Sequence, residues 1–126
     1  MADASFFANV DQPFVRVTDI RLRGLVHLLR DDERLQAFAE REVGRLLRHD
    51  KEHKTRMLAT LTALLNASGN KSDAARTVHV SRPTFYQQLS KIEELLGVDL
   101  DSAESRASVY VAVLAANAAH GPSYRE

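Results

Sequence analysis

The sequence predicts an all-α fold, and three observations support that prediction. Leu and Ala dominate the apolar residues, and both favour helices. Val is the only frequent β-branched apolar residue, and it is scattered along the chain. Apolar residues recur at helical spacing, with no pair of strand-like segments and no internal repeat. We expect a helical bundle that contains a helix-turn-helix, with N-terminal helices and a C-terminal helix packed around it.

Composition narrows the class of protein. The 126 residues are 44% hydrophobic and only 6% aromatic, which allows one ordinary core. The chain has no Cys, so it has neither a disulfide nor a thiolate metal site. No run of about 18 apolar residues exists, and no basic segment leads an apolar one, so we expect no membrane span and no signal peptide. A cytoplasmic protein fits these features.

The formal net charge of zero hides a gradient along the chain. Residues 1–44 carry six Arg against eight acids, a net charge of −2. Residues 45–91 carry nine Lys or Arg against three acids, a net charge of +6, and residues 92–126 carry two Arg against six acids, a net charge of −4. A basic middle third is expected of a surface that binds phosphates, although it also fits a solvated basic face.

Four segments are expected along the chain. Residues 1–17 resemble a flexible arm or an artificial boundary, and 18–53 form an N-terminal helical segment. Residues 54–120 hold the helix-turn-helix domain, and 121–126 form a tail. Within that domain we expect four helices. They span about Thr55–Ala67, Lys71–Val78 and Arg82–Leu96, with a last helix from Asp101 or Ser102.

The segment 70–92 has what two helices crossing at a short turn require. Ala74 and Ala75 are small enough for the helix axes to approach closely. Val78 and Val80 flank the turn and can fill the gap between the helices. A stripe at helical spacing seats the second helix on the core. It consists of Phe85, Leu89, Ile92 and Leu96.

The opposite face of that helix is polar, which suits the major groove of DNA. Ser81 is placed to cap the helix, and Pro83 lies in its first turn. The turn position that often holds Gly is His79, which must either adopt a left-handed conformation or alter the turn. The residues expected to face the groove or its rims are Arg82, Thr84, Tyr86, Gln87 and Lys91. Those expected on the DNA backbone are Lys71, Ser72 and Ser81.

Asn70 to Ile92 resembles a Fis-type helix-turn-helix, and Leu58 to Leu100 is similar to the C-terminal helix-turn-helix of the PucR/CdaR family of bacterial transcriptional regulators. The matching segments are, in chain order, Asn66-Ala-Ser-Gly-Asn70, Ala74-Ala75, Ser81-Arg82-Pro83-Thr84 and Ile92-Glu-Glu-Leu-Leu-Gly-Val-Asp-Leu100. Residues 31–38 and 46–50 resemble the segment that precedes this module in the family.

The resemblance implies a non-enzymatic, cofactor-free domain whose recognition helix, about 82–96, reads double-stranded DNA. Arg82 and Thr84 carry over directly from the family pattern. The Arg-rich run that relatives often have is replaced by Tyr86-Gln87-Gln88. An N-terminal sensory region, which relatives carry, is absent from this chain, so we expect a fragment or a short family member.

Other functions have less support in the sequence. His49 and His53 share a helix face, but a third ligand is missing, so we expect no metal site. No Ser-His-Asp set or phosphate loop has convincing context, so no catalytic residue is assigned. The Leu-rich first half and the Ala/Val-rich last helix suit a homodimer, and they fit the core of a single chain equally well. The alternative function is a helical protein-interaction or dimerisation module without DNA binding.

Overall fold

A computed structural model describes residues 17–120, with side chains from 21 to 119. Over these residues the chain is all-α, which confirms the predicted fold class. The six helices of the described part are α1 (Val17–Leu28), α2 (Glu33–His53), α3 (Met57–Asn66), α4 (Lys71–Thr77), α5 (Arg82–Leu96) and α6 (Ala103–His120). The predicted arm before Val17 and the predicted tail lie outside the described residues. Within the described range, no helix is both long enough and apolar enough to cross a membrane.

The longest helix, α2, packs along α6 and also contacts α3 and α5. Asp32 caps its start by accepting a hydrogen bond from the Arg34 backbone N–H at 2.8 Å. The Gln36 side chain donates to the Ala115 carbonyl of α6 at 3.1 Å, and α1 also packs against α6. The N-terminal helices and the C-terminal helix therefore pack against each other. The contacts of α2 with α3 and α5 agree with the predicted bundle around the helix-turn-helix.

The corner between α2 and α3 is closed by a carboxylate. Lys54 follows α2 in a left-handed conformation (φ 56°), which turns the chain towards α3. The Asp50 carboxylate accepts hydrogen bonds from the backbone N–H groups of Met57 and Leu58, each at 2.8 Å. These N–H groups have no partner inside α3, so Asp50 caps α3 from the preceding helix.

The exit from α3 is a tight left-handed turn. Ser68 and Gly69 both have positive φ, at 54° and 86°. The Gly69 N–H donates to the Leu64 carbonyl at 3.0 Å, which satisfies one of the free carbonyls at the helix end. Gly69 thus occupies a left-handed position that favours glycine. Asn70 then caps α4 by accepting from the Asp73 N–H at 3.0 Å.

One apolar core joins the N-terminal helices to the helix-turn-helix. Each helix of the described part contributes to it or packs against it. Its largest fully buried side chains are Phe85, Leu46, Leu61, Leu64, Ile92, Leu100, Val43 and Val109. Because α5 is seated on this shared core, the position of its outer face is fixed by the whole bundle.

Candidate nucleic-acid interface

Helices α4 and α5 meet across a short turn. Small side chains on α4 let the helices approach, and one residue of the turn has a left-handed backbone conformation. Ala74 and Ala75 are buried, 0% and 3% exposed, as expected where two helix axes approach. The Val80 N–H donates to the Ala75 carbonyl at 3.2 Å, which closes the turn. His79 has a φ of 59°, so it adopts the left-handed conformation, which was one of the two predicted possibilities.

The inner face of α5 is apolar and fully used in packing. Phe85, Leu89 and Ile92 are 1%, 4% and 0% exposed, and Leu96 packs partly buried against the same core. Beside this stripe, Gln88 accepts a hydrogen bond from the Thr60 hydroxyl of α3 at 3.0 Å. That contact engages the amide oxygen of Gln88 on the side that faces α3.

The start of α5 is capped as the sequence predicts. Ser81 has an extended conformation (φ −69°, ψ 159°), and its Oγ accepts from the Thr84 N–H at 3.3 Å. The same Oγ donates to the Thr84 hydroxyl at 3.0 Å. Both side chains are exposed, so they can exchange this mutual bond for an outside partner.

Two predicted site residues, one from each helix, lie near the aromatic ring of a third, Tyr86. The Arg82 guanidinium carbon lies 6.0 Å from the centre of the Tyr86 ring, and the Lys71 ammonium of α4 lies 5.6 Å from it. Arg82 also donates to the Tyr86 hydroxyl at 3.4 Å. Cations over an aromatic face are attracted by the ring, so Tyr86 holds Arg82 and Lys71 on one side of the helix pair.

The other predicted residues surround this cluster at different distances from it. Gln87 is exposed on α5, and Ser72 is half-buried in the first turn of α4. Lys91 lies one turn beyond Gln87 and forms a salt bridge with Glu94 at 3.1 Å. The structure therefore gathers Lys71, Arg82 and Tyr86, whereas Lys91 is engaged separately further along α5.

Residues 57–115, from the first residue of α3 into α6, match the family model of the PucR C-terminal helix-turn-helix domain. This segment is a PucR-type helix-turn-helix domain. Domains of this family bind DNA and are regulatory rather than catalytic. No curated protein and no solved structure matches the chain. The match confirms the resemblance drawn from the sequence, and it leaves α1 and α2 outside the matched segment.

The cations of the basic middle third are partly paired in the folded protein. Four of the nine carry carboxylate partners, and three of those carboxylates come from outside residues 45–91. The pairs are Arg48 with Glu40, Lys71 with Asp101, Arg76 with Asp73 and Lys91 with Glu94. Segment charge therefore overstates the positive field at the surface of the PucR-type domain. Arg82 has no carboxylate partner in the part of the chain that the structure describes.

Lys71 and Asp101 are brought together by the turn that follows α5. Glu93 accepts from the Leu100 N–H, and Arg106 donates to the Leu100 carbonyl, each at 2.8 Å. These two hydrogen bonds hold the turn so that Asp101 lies 3.0 Å from the Lys71 ammonium. The hydrogen bond between Lys71 and Asp101 raises the pKa of Lys71 above its ordinary value. Lys71 is therefore fully charged at neutral pH. Glu93 and Arg106 are not among the site residues predicted from the sequence. The family-like run at 92–100 contains Glu93, whereas no sequence signal marked Arg106.

Proposed function

We propose that this chain binds double-stranded DNA sequence-specifically, with α5 in the major groove, as the DNA-binding part of a bacterial transcriptional regulator acting in the cytoplasm. The observation that carries the proposal is the exposed Arg82, held by Tyr86 at the start of α5 and without a carboxylate partner in the described chain. The family match supports the DNA-binding class. In this proposal the domain has no enzymatic activity and needs no cofactor.

Each exposed group on α5 has a chemistry suited to DNA. Arg82 can pair with the two acceptors of guanine, and Gln87 can pair with adenine. Thr84 can bond a base edge or a phosphate, and Tyr86 can donate to a phosphate or stack. Lys91 lies at the rim. On the DNA backbone we place Lys71, Ser72 and Ser81.

The test is the Arg82→Ala variant on a DNA duplex selected from a random library by the wild-type chain. We expect discrimination between the selected and a scrambled duplex to fall by about 1–3 kcal/mol, the contribution of a good bidentate base contact. Arg41→Ala, an exposed arginine on α2, is the matched control and should bind as wild type does. Unchanged affinity and discrimination in Arg82→Ala would contradict the role of this residue.

The alternative, an interaction module without DNA binding, is favoured by one observation. Leu25, Leu28 and Leu29 on and just after α1 are 55%, 51% and 43% exposed, which is unusual for neighbouring large apolar side chains. The same surface supports a homodimer, which would match DNA with two half-sites. Salt separates the two functions. Binding through several phosphates weakens steeply as salt rises, whereas an apolar interface does not.

A further inference from the structure

His49 and His53 lie one turn apart near the C-terminal end of α2, and their rings are in contact. The ring centres are 4.5 Å apart and the ring planes are tilted by 40°. Two imidazoles that bind one metal ion at adjacent positions have centres about 4.5–5 Å apart, because each metal–nitrogen bond is about 2.0–2.1 Å long. The separation of the ring centres is therefore compatible with one shared metal ion.

A hydrogen-bond relay fixes the proton on His49. The Thr55 hydroxyl donates to the Asp50 carboxylate at 2.5 Å, so its single proton is committed there. The same hydroxyl lies 3.2 Å from His49 Nδ1 and can only accept, which makes Nδ1–H the donor. In the neutral ring the lone pair is then on Nε2, the form that binds a metal ion.

The relay ends in a part of the fold that is itself held firmly. Asp50 accepts from the Met57 and Leu58 N–H groups at the start of α3, so its carboxylate cannot rotate freely. Metal-binding histidines ordinarily donate their second N–H to such an outer partner, which orients the ring and raises its basicity. Two histidines on a bare helix surface would lack this support.

Spacing alone led us to expect no metal site at these two histidines, but the ring contact and the hydrogen-bond relay change that expectation. We propose that His49 and His53 form a binding site for a divalent transition-metal ion of the Zn²⁺, Ni²⁺ or Cu²⁺ class. Imidazole nitrogens suit these ions, whereas Mg²⁺ and Ca²⁺ prefer oxygen ligands. No group of three or more ligating side chains occurs among the described residues, so the site would offer two protein ligands and leave the other positions to water. Arg45, Arg48 and Glu52 line the groove beside His49, and the Arg48 charge is paired with Glu40.

The test is calorimetric titration of the untagged full chain with NiCl₂ at pH 7.5. We expect His53→Gln, which changes an exposed side chain, to weaken the tightest Ni²⁺ binding about tenfold or more. His79→Asn is the matched control, because it removes an exposed histidine from a left-handed position that Asn tolerates. Equal affinity in His53→Gln, or an equal loss in His79→Asn, would overturn the proposal.

The relay is tested separately through Thr55. Loss of an outer-shell partner typically weakens metal binding by about 10–100-fold, and we expect such a loss in Thr55→Val. Thr55→Ser keeps the hydroxyl and should keep the affinity, which separates the relay from any effect on folding. Ni²⁺ should also slow hydrogen exchange at the Met57 and Leu58 amides in the wild type. Wild-type affinity in Thr55→Val, or unchanged exchange, would refute the role of the relay.

Discussion

The two faces of α5 carry different kinds of residue and different kinds of contact. The inner face is a continuous apolar stripe in which Phe85 and Ile92 are almost completely buried. The outer face carries polar contacts near the surface, such as the hydrogen bond from Arg82 to Tyr86 and the contact of the Tyr86 ring with Lys71 of α4. The comparison teaches that one helix can separate stability from recognition, because each task uses side chains on opposite sides of the same backbone.

The largest effect is expected from Phe85→Ala on the inner face. Removing a fully buried aromatic side chain leaves a cavity and typically costs about 3–5 kcal/mol of unfolding free energy. The neighbouring Tyr86→Ala, on the outer face and 40% exposed in the wild type, loses its contacts with two cations and should cost only about 1 kcal/mol. Urea unfolding monitored by circular dichroism measures both. Similar losses in the two variants would break the comparison.

A smaller effect is expected from Ser81→Ala, which sharpens the comparison because Ser81 is exposed yet stabilises the helix. Its Oγ accepts from the Thr84 N–H, and losing such a cap costs about 1 kcal/mol. Ser90→Ala, also exposed on α5, lies mid-helix and should be neutral or slightly stabilising. If both serine variants unfold at the same urea concentration, the capping role assigned to Ser81 is wrong.

The smallest effect is expected from acid, which distinguishes the start of α2 from the start of α5. The Arg34 side chain and backbone N–H donate to Asp32 and lower the pKa of this carboxyl from 3.8 to about 2. A lowered folded-state pKa means that the Asp32 contribution to stability is complete above about pH 4 and is lost as the pH falls towards 2. Ser81 has no proton to gain in this range.

The difference in melting temperature between wild type and Asp32→Ala measures this contribution. We expect the difference to be constant near neutral pH and to shrink between about pH 4 and pH 2. The corresponding difference for Ser81→Ala should not change over the same range. A pH-independent difference for Asp32→Ala would show that its carboxylate is not responsible for the stabilisation.

Elements whose ends are marked by local residues could be predicted closely. The predicted bounds of α5 agree with the structure because Ser81, Pro83 and Gly97 define its ends within the helix's own sequence. The start of α3 was expected at about Thr55 and lies at Met57, since Asp50 of the preceding helix caps Met57 and Leu58. That interaction depends on the angle between two helices, which residue periodicity does not contain.

The candidate site could be predicted only in part, for the same reason. The polar outer face of α5 follows from helical spacing, so the exposure of Arg82 and Gln87 could be predicted. The pairing of Lys71 with Asp101 joins residues 30 positions apart and depends on the direction of the turn after α5. Charge counted along the sequence therefore assigns Lys71 a free ammonium, although a carboxylate partner lies 3.0 Å from it.

The Lys71–Asp101 pair has a consequence for how the proposed DNA complex would form. A phosphate that approaches Lys71 must compete with a carboxylate that is already 3.0 Å away and attached to the same molecule. Non-specific DNA offers only phosphates, so its affinity is lowered by this competition. A cognate site adds base contacts that can offset the cost. Asp101 would thus act as an internal phosphate mimic, shortening the time spent on wrong sequences during the search for the right one.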